Sequence, residues 1–123
     1  MKPMGSTADL GAILDTATRY YRAMVAGDED ELRRLFDSRA PIVGHFQGEF
    51  QWLGLDAFIE EAKSLIGQHG EEGCSVESIR VDGDIAAVTI RGRYAGLWFL
   101  DHLSVVEVND RWTITSKSFH VLA

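Results

Sequence analysis

Residues 97–120 read LWFLDHLSVVEVNDRWTITSKSFH, and this stretch decides the fold. Two runs rich in β-branched and aromatic residues flank Asn109-Asp110, a pair suited to a two-residue hairpin turn. With that turn, Val108 faces Arg111 and Val105 faces Ile114. Strict alternation carried outward sets Leu103 opposite Ser116, Asp101 opposite Ser118 and Phe99 opposite His120. Asp101 and His120 then become diagonal neighbours on the face that carries Trp112 and Ile114. A carboxylate and an imidazole at the polar end of an apolar face suggest the wall of a pocket.

The same arithmetic extends upstream. Asp82-Gly83 reads as a second turn, with Val81 opposite Asp84 and Ile79 opposite Ala86. Ala95-Gly96 reads as a third, which sets Ala86 opposite Val105, Val88 opposite Leu103 and Ile90 opposite Asp101. Four antiparallel strands within 74–122 therefore pair in order. One face gathers Ile79, Val81, Ala86, Val88, Ile90, Leu103, Val105, Trp112 and Ile114. A one-residue slip would scatter these residues over both faces, so their agreement supports the registers. The opposite face mixes Trp98, Leu100, Val106, Phe119 and Val121 with Arg91, Arg93, His102 and Lys117. That is too apolar for a solvated face, and it predicts a homodimer through the outer side of the sheet.

The N-terminal half is helical. Leu10, Ile13, Leu14, Ala17, Tyr21 and Met24 recur at helical spacing, which predicts a helix over about 8–26, flanked by Tyr20. Asp28 precedes Glu31 by three residues, a capping spacing that starts a short second helix with Leu32, Leu35 and Phe36 inward. Residues 42–52 read as extended chain interrupted by Gly48. Leu55, Phe58, Ile59, Ala62, Leu65 and Ile66 form the stripe of a third helix. The class is α+β, with three helices against one face of an antiparallel sheet. At 123 residues the chain is one domain, 1–123, with 1–6 expected as a frayed tail.

Composition narrows the partners. A net charge of −7, with no run of Lys or Arg, disfavours nucleic acid and anionic membranes. No apolar stretch has the length of a membrane span, and MKPMGSTADLG lacks the apolar run of a signal peptide. The single cysteine, Cys74, fits a reducing compartment, so the expected location is the cytoplasm. The 4 histidines show none of the spacings of a metal site, and no glycine-rich phosphate loop is present, so neither metal nor cofactor is expected.

Asp101 and His120 form the sharpest candidate pair, a carboxylate orienting an imidazole for acid/base work without a cofactor. The alternative is a structural acceptor and a chain-end histidine. Tyr20 could donate its hydroxyl to a ligand, or stand as a half-buried aromatic. His45 could face the pocket or sit as a strand histidine. Trp52, Tyr94 and Phe99 could form an aromatic wall or belong to the core. His69, in a Gly/Glu loop, is expected in solvent. The preferred function is binding of a small apolar or aromatic molecule, with isomerase, dehydratase or cyclase chemistry as an extension. The alternative is a non-catalytic dimeric binding or interaction module.

Three segments carry a family resemblance: YYRAMVAGD at 20–28, LRRLFD at 32–37 and FLDHLSVVEVNDRWTITSKSFH at 99–120. In these the chain resembles the nuclear transport factor 2-like superfamily, closest to its putative lumazine-binding subgroup, with SnoaL-like cyclases as relatives. The resemblance implies a cone-shaped curved sheet wrapped around the helices, a pocket inside the cone, and dimers through the sheet. It implies isomerases, dehydratases, cyclases and epoxide hydrolases as possible activities, alongside non-catalytic modules. Ketosteroid isomerases of the superfamily use a tyrosine of the first helix and two pocket aspartates. Tyr20 and Asp101 match a tyrosine and one aspartate; no second acid is evident.

Overall fold

The computed structural model describes residues 7–122, so the tail expected at 1–6 lies outside the described residues. Helix α1 spans Thr7–Ala26, α2 Glu29–Leu35 and α3 Leu55–Ser64. Strands β1 (Ile42–Phe46) and β2 (Glu49–Leu53) separate α2 from α3. Strands β3 (Cys74–Asp82), β4 (Ile85–Tyr94), β5 (Leu97–Val108) and β6 (Arg111–Val121) complete the chain. The sheet runs β2-β1-β6-β5-β4-β3, curved and unclosed, with the helices on its concave side. Every neighbouring pair is antiparallel except β1 and β6, which are parallel. Among the described residues no helix is long and apolar enough to cross a membrane.

Local chemistry accounts for the elements. Ile13, Ala17, Tyr20, Tyr21 and Met24 lie on the buried side of α1, one helical stripe set against the sheet. The Asp28 side chain accepts the Glu31 backbone N–H at 3.2 Å and so caps α2. Leu55, Phe58, Ile59 and Ala62 bury the inner face of α3, while Ile66, past its end, is exposed. Asn109 and Asp110 both take positive φ, 51° and 62°, the backbone of a two-residue turn matched to strand twist.

Two registers depart from the sequence reading. The first is harmless. The turn after β3 lies on Gly83-Asp84, so Val81 faces Ala86 and Ile79 faces Val88. The shift is by an even number of residues, so the same side chains stay inward. The second is decisive. Val105 faces Ile114 as expected, but Ser104 faces Ser116, because β6 carries one extra residue at a bulge. Beyond it Leu103 faces Lys117, Asp101 faces Phe119, Leu100 faces His120 and Phe99 faces Val121. Every side chain of β6 after the bulge changes face.

The bulge falls where β6 changes its second neighbour. On one side of it Phe36 bridges to Ile114, and the Asp37 N–H donates to the Ile114 carbonyl at 2.9 Å. On the other, Lys117 donates its N–H to the Pro41 carbonyl at 3.0 Å, and β1 begins beside it. Lys117 and Phe119 thus turn inward, against the expectation that placed both on the outer face. His120 turns outward and is exposed.

Candidate functional site

The concave face converges on a small cavity. Its walls come from Ile42 and Phe46 of β1, Phe58 and Glu61 of α3, Tyr94 of β4, Phe99 and Asp101 of β5, and Lys117 and Phe119 of β6, with Met24 of α1. The free volume is ≈ 20 Å³, room for about one water molecule. Rings fill the rest. Phe46 stacks on Phe99 at 5.7 Å, and Phe99 meets Tyr94 at 5.6 Å and Phe119 at 5.9 Å.

A charged pair lies at the head of this cavity. Asp101 and Lys117 are each 4% exposed. The fully buried Tyr20 hydroxyl donates to Asp101 Oδ2 at 2.6 Å, a short bond of the kind made to an ionised acceptor. Lys117 Nζ stands 3.7 Å from the same oxygen and 3.5 Å from Met24 Sδ. Four rings surround the ammonium: Phe58 at 4.4 Å, Tyr20 at 5.2 Å, Phe119 at 5.7 Å and Tyr94 at 5.9 Å. Asp101 Oδ1 is buried and finds no hydrogen-bond donor among the described residues.

Burial sets the electrostatics. It pushes the Lys117 ammonium below the ordinary lysine range, with the Asp101 carboxylate opposing the shift. It pushes the Tyr20 phenol well above its ordinary range, and the charge of Asp101 adds to this. Tyr20 therefore stays protonated and acts as a donor. Tyr94 donates to Glu61 Oε2 at 3.0 Å, and its phenol is raised in the same way, by burial first and then by Glu61. His69 is buried, contrary to its expected place in solvent. It stacks on Tyr94 at 4.8 Å and accepts the Ala95 N–H at Nδ1 at 2.8 Å, which fixes the ring of Tyr94 from behind.

Of the residues proposed from sequence, Tyr20, Tyr94, Phe99 and Asp101 meet in or beside this cavity. Three do not. The bulge carries His120 to the outer face, so it forms no pair with Asp101. His45 and Trp52 also point outward, His45 beside Phe50 at 5.4 Å and Trp52 67% exposed. Residue parity along the β1–β2 hairpin explains this: Ile42 and Phe46 face the core, so His45 and its partner Phe50 cannot. Sequence reasoning missed Lys117, Glu61, Met24 and Phe119. A signal for Lys117 was present. The inward residues of β6 are Trp112 and Ile114, then Lys117, Phe119 and Val121, so the period of two breaks once, between 114 and 117.

A curved, unclosed sheet wrapped on three helices, with a polar pair inside the cone, defines a protein of the nuclear transport factor 2-like class. The chain belongs to the family described as putative lumazine-binding, whose model matches residues 8–120. It is similar to a nuclear transport factor 2-like protein of unknown function from Silicibacter pomeroyi, at 31% identity and TM-score 0.90, over 95% of this chain and 99% of that one. Proteins of unknown function from Shewanella baltica and Methylobacillus flagellatus share the fold. The first gives 20% identity and TM-score 0.87 over 98% of this chain and 99% of that one. The second gives 21% and 0.85 over 100% and 99%. No curated protein matches the chain.

Proposed function

We propose that the protein binds a small, mostly apolar molecule in the cone, with Asp101 and Lys117 as its polar anchor. The observation that carries this is the unpartnered Asp101 Oδ1 beside a buried ammonium. An orphaned buried acceptor costs about 1–3 kcal/mol, which a ligand donor would return. The complementary ligand edge carries one donor for Asp101 and one acceptor for Lys117, as a primary amide or a ring lactam does. The pyrimidinedione ring of lumazine, the ligand in the family's name, presents such an edge. Pockets for larger ligands span roughly 300–1,000 Å³. Lumazine would therefore need Phe46, Phe99 and Phe119 to swing aside, whereas benzamide asks for less.

The test is a titration of labelled protein with benzamide and then with lumazine, followed by NMR. We expect saturable shifts at the backbone amides of Asp101 and Lys117 and at the Lys117 ε-methylene. Shifts confined to outer-face residues such as Trp98 would refute the assignment. Acid/base chemistry on the bound molecule would rest on Asp101 and Tyr20, since His120 lies on the other face.

We further propose that the outer face pairs two copies of the chain. Phe50 is 61% exposed, Trp52 67% and Trp98 37%, three large rings on one side of one sheet. Two arginines, Arg91 and Arg93, stand over Trp98 at 5.7 and 5.8 Å, leaving Phe50 and Trp52 as the barest part. Sedimentation equilibrium at micromolar concentration should give a dimer, and Trp52→Lys should shift it to monomer. An interface of standard size would bury about 1,600 Å². A wild-type protein that sediments as a monomer throughout would defeat this reading.

A further inference from the structure

We infer that Lys117 is a carbonyl-capturing amine, which forms a reversible imine with a small aldehyde or ketone seated in the cavity, Asp101 carrying the protons. The inference rests on the reading of the cavity as the ligand site and adds a second class of occupant, since the carbonyls of amides and lactams do not condense with amines. The acceptor that faces Lys117 is then a carbonyl oxygen, whose carbon is within reach of attack by the amine.

The geometry favours a reactive amine over a locked one. The groups nearest Nζ are Asp101 Oδ2 at 3.7 Å and Met24 Sδ at 3.5 Å, and neither is a short, strong acceptor. The nearest ring is Phe58, at 4.4 Å to its centre. Desolvation among apolar rings is a recognised way of freeing a lysine amine, and here burial acts in that direction. The same rings exclude bulk water, which would otherwise hydrolyse an imine. The chain offers a built-in comparison. Its lysines are Lys2, Lys63 and Lys117. Lys63 is solvent-facing and holds its proton through Glu29 at 3.1 Å and Glu60 at 3.7 Å, which raise its pKa.

The step balances without an oxidant or reductant. The Lys117 ammonium passes a proton to Asp101, and the free amine attacks the carbonyl carbon. A C–N bond forms, and the π pair of the carbonyl moves to oxygen, which takes the proton back from Asp101. The nitrogen then gives Asp101 a second proton, leaving a neutral carbinolamine. Asp101 delivers this proton to the hydroxyl, the C–O bond breaks, and water departs as the nitrogen lone pair closes the C=N bond. Ammonium plus carbonyl has become iminium plus water, with the iminium beside the Asp101 carboxylate.

Acetaldehyde, with only three heavy atoms, asks for little displacement of the rings and is the probe of choice. Wild-type protein at about pH 7 is treated with limiting acetaldehyde and sodium cyanoborohydride, and ethylation is located by peptide mapping. Burial lowers the Lys117 ammonium pKa while Glu29 and Glu60 raise that of Lys63, so Lys117 should be ethylated ahead of Lys63. Unfolding in urea should abolish that preference. Asp101→Asn frees the amine but removes the proton carrier, so ethylation of Lys117 should fall despite its larger neutral fraction, with that of Lys63 unchanged. Labelling of Lys63 with Lys117 untouched, or at equal rates, overturns the proposal. A parallel NMR titration with acetaldehyde, without reductant, separates the two readings. Shifts at Lys117 with no ethylation leave a binding pocket and remove the imine. No shift and no ethylation remove both.

Discussion

Asp101→Asn and Lys117→Met will each destabilise the fold by about 3–5 kcal/mol, and the double variant will cost less than their sum by about 1–3 kcal/mol. The magnitude follows from where the pair sits. Both side chains are 4% exposed, so removing one partner strands a group that water cannot reach. Asp101→Asn leaves the ammonium with the Met24 sulfur and four ring faces, and it relieves this by losing its proton. Lys117→Met leaves the carboxylate with the Tyr20 hydroxyl alone. The double variant strands neither charge. Small domains hold only about 5–15 kcal/mol in all, so the single variants belong in urea titrations near the temperature of maximum stability.

The pH dependence has a definite sign. Lys117 has a folded pKa below its unfolded value, so between the two the unfolded chain binds more protons, and stability rises with pH across that window. In Asp101→Asn the carboxylate that opposed the shift is gone, so the window widens downward. The gap in stability between this variant and wild type should therefore narrow as pH rises toward the wild-type folded pKa of Lys117, which lies below the ordinary lysine value. A gap that stays constant, or additive single costs, would show that the two groups do not act on each other.

The pair was half legible in the sequence, and the reason is specific. Turn chemistry at Asn109-Asp110 and Ala95-Gly96 fixed the registers of β4, β5 and the start of β6, and the apolar inward set followed. An error of one turn position at Gly83-Asp84 did no harm, because its register shift was even. A bulge shifts the register by one, and every assignment beyond it inverts. That single residue exchanged His120 for Lys117 as the partner of Asp101. It also took Phe119 from the expected dimer face and placed it in the cavity wall. The β1–β2 hairpin misled differently. Its histidine and tryptophan looked like pocket chemistry by residue type, but Gly48 breaks the run and its short strands gave no register to test. Tyr20 was read beside the helical stripe, and it is buried because Asp101 accepts its hydroxyl. Contacts so distant in sequence leave no periodic trace.

The parallel seam between β1 and β6 closes the cavity, and Gly44→Ala will break it. A Cβ built on Gly44 lies 2.4 Å from the Phe119 carbonyl oxygen and 2.7 and 2.8 Å from its ring carbons. The ring could turn, but the carbonyl is backbone held in a sheet, so the strands must part. Overpacking of this kind costs about 1–3 kcal/mol. The sign is diagnostic, because a glycine whose site accepts a methyl group gains about 0.4–1 kcal/mol on becoming alanine, through the unfolded chain. Gly11 supplies that reference within the same molecule: it lies on α1, and a Cβ there meets nothing within 4 Å. Gly11→Ala should therefore stabilise while Gly44→Ala destabilises, both read as denaturation midpoints at unchanged slope. The seam also carries Ile42 and Phe46 on one side and Lys117 and Phe119 on the other, so parting it loosens the aromatic plug. Benzamide should then associate faster with Gly44→Ala than with wild type, even though the fold is weaker. A variant that is destabilised but binds at the wild-type rate would mean that ligands enter the cone elsewhere, past Tyr94 and Glu61 rather than between the strands.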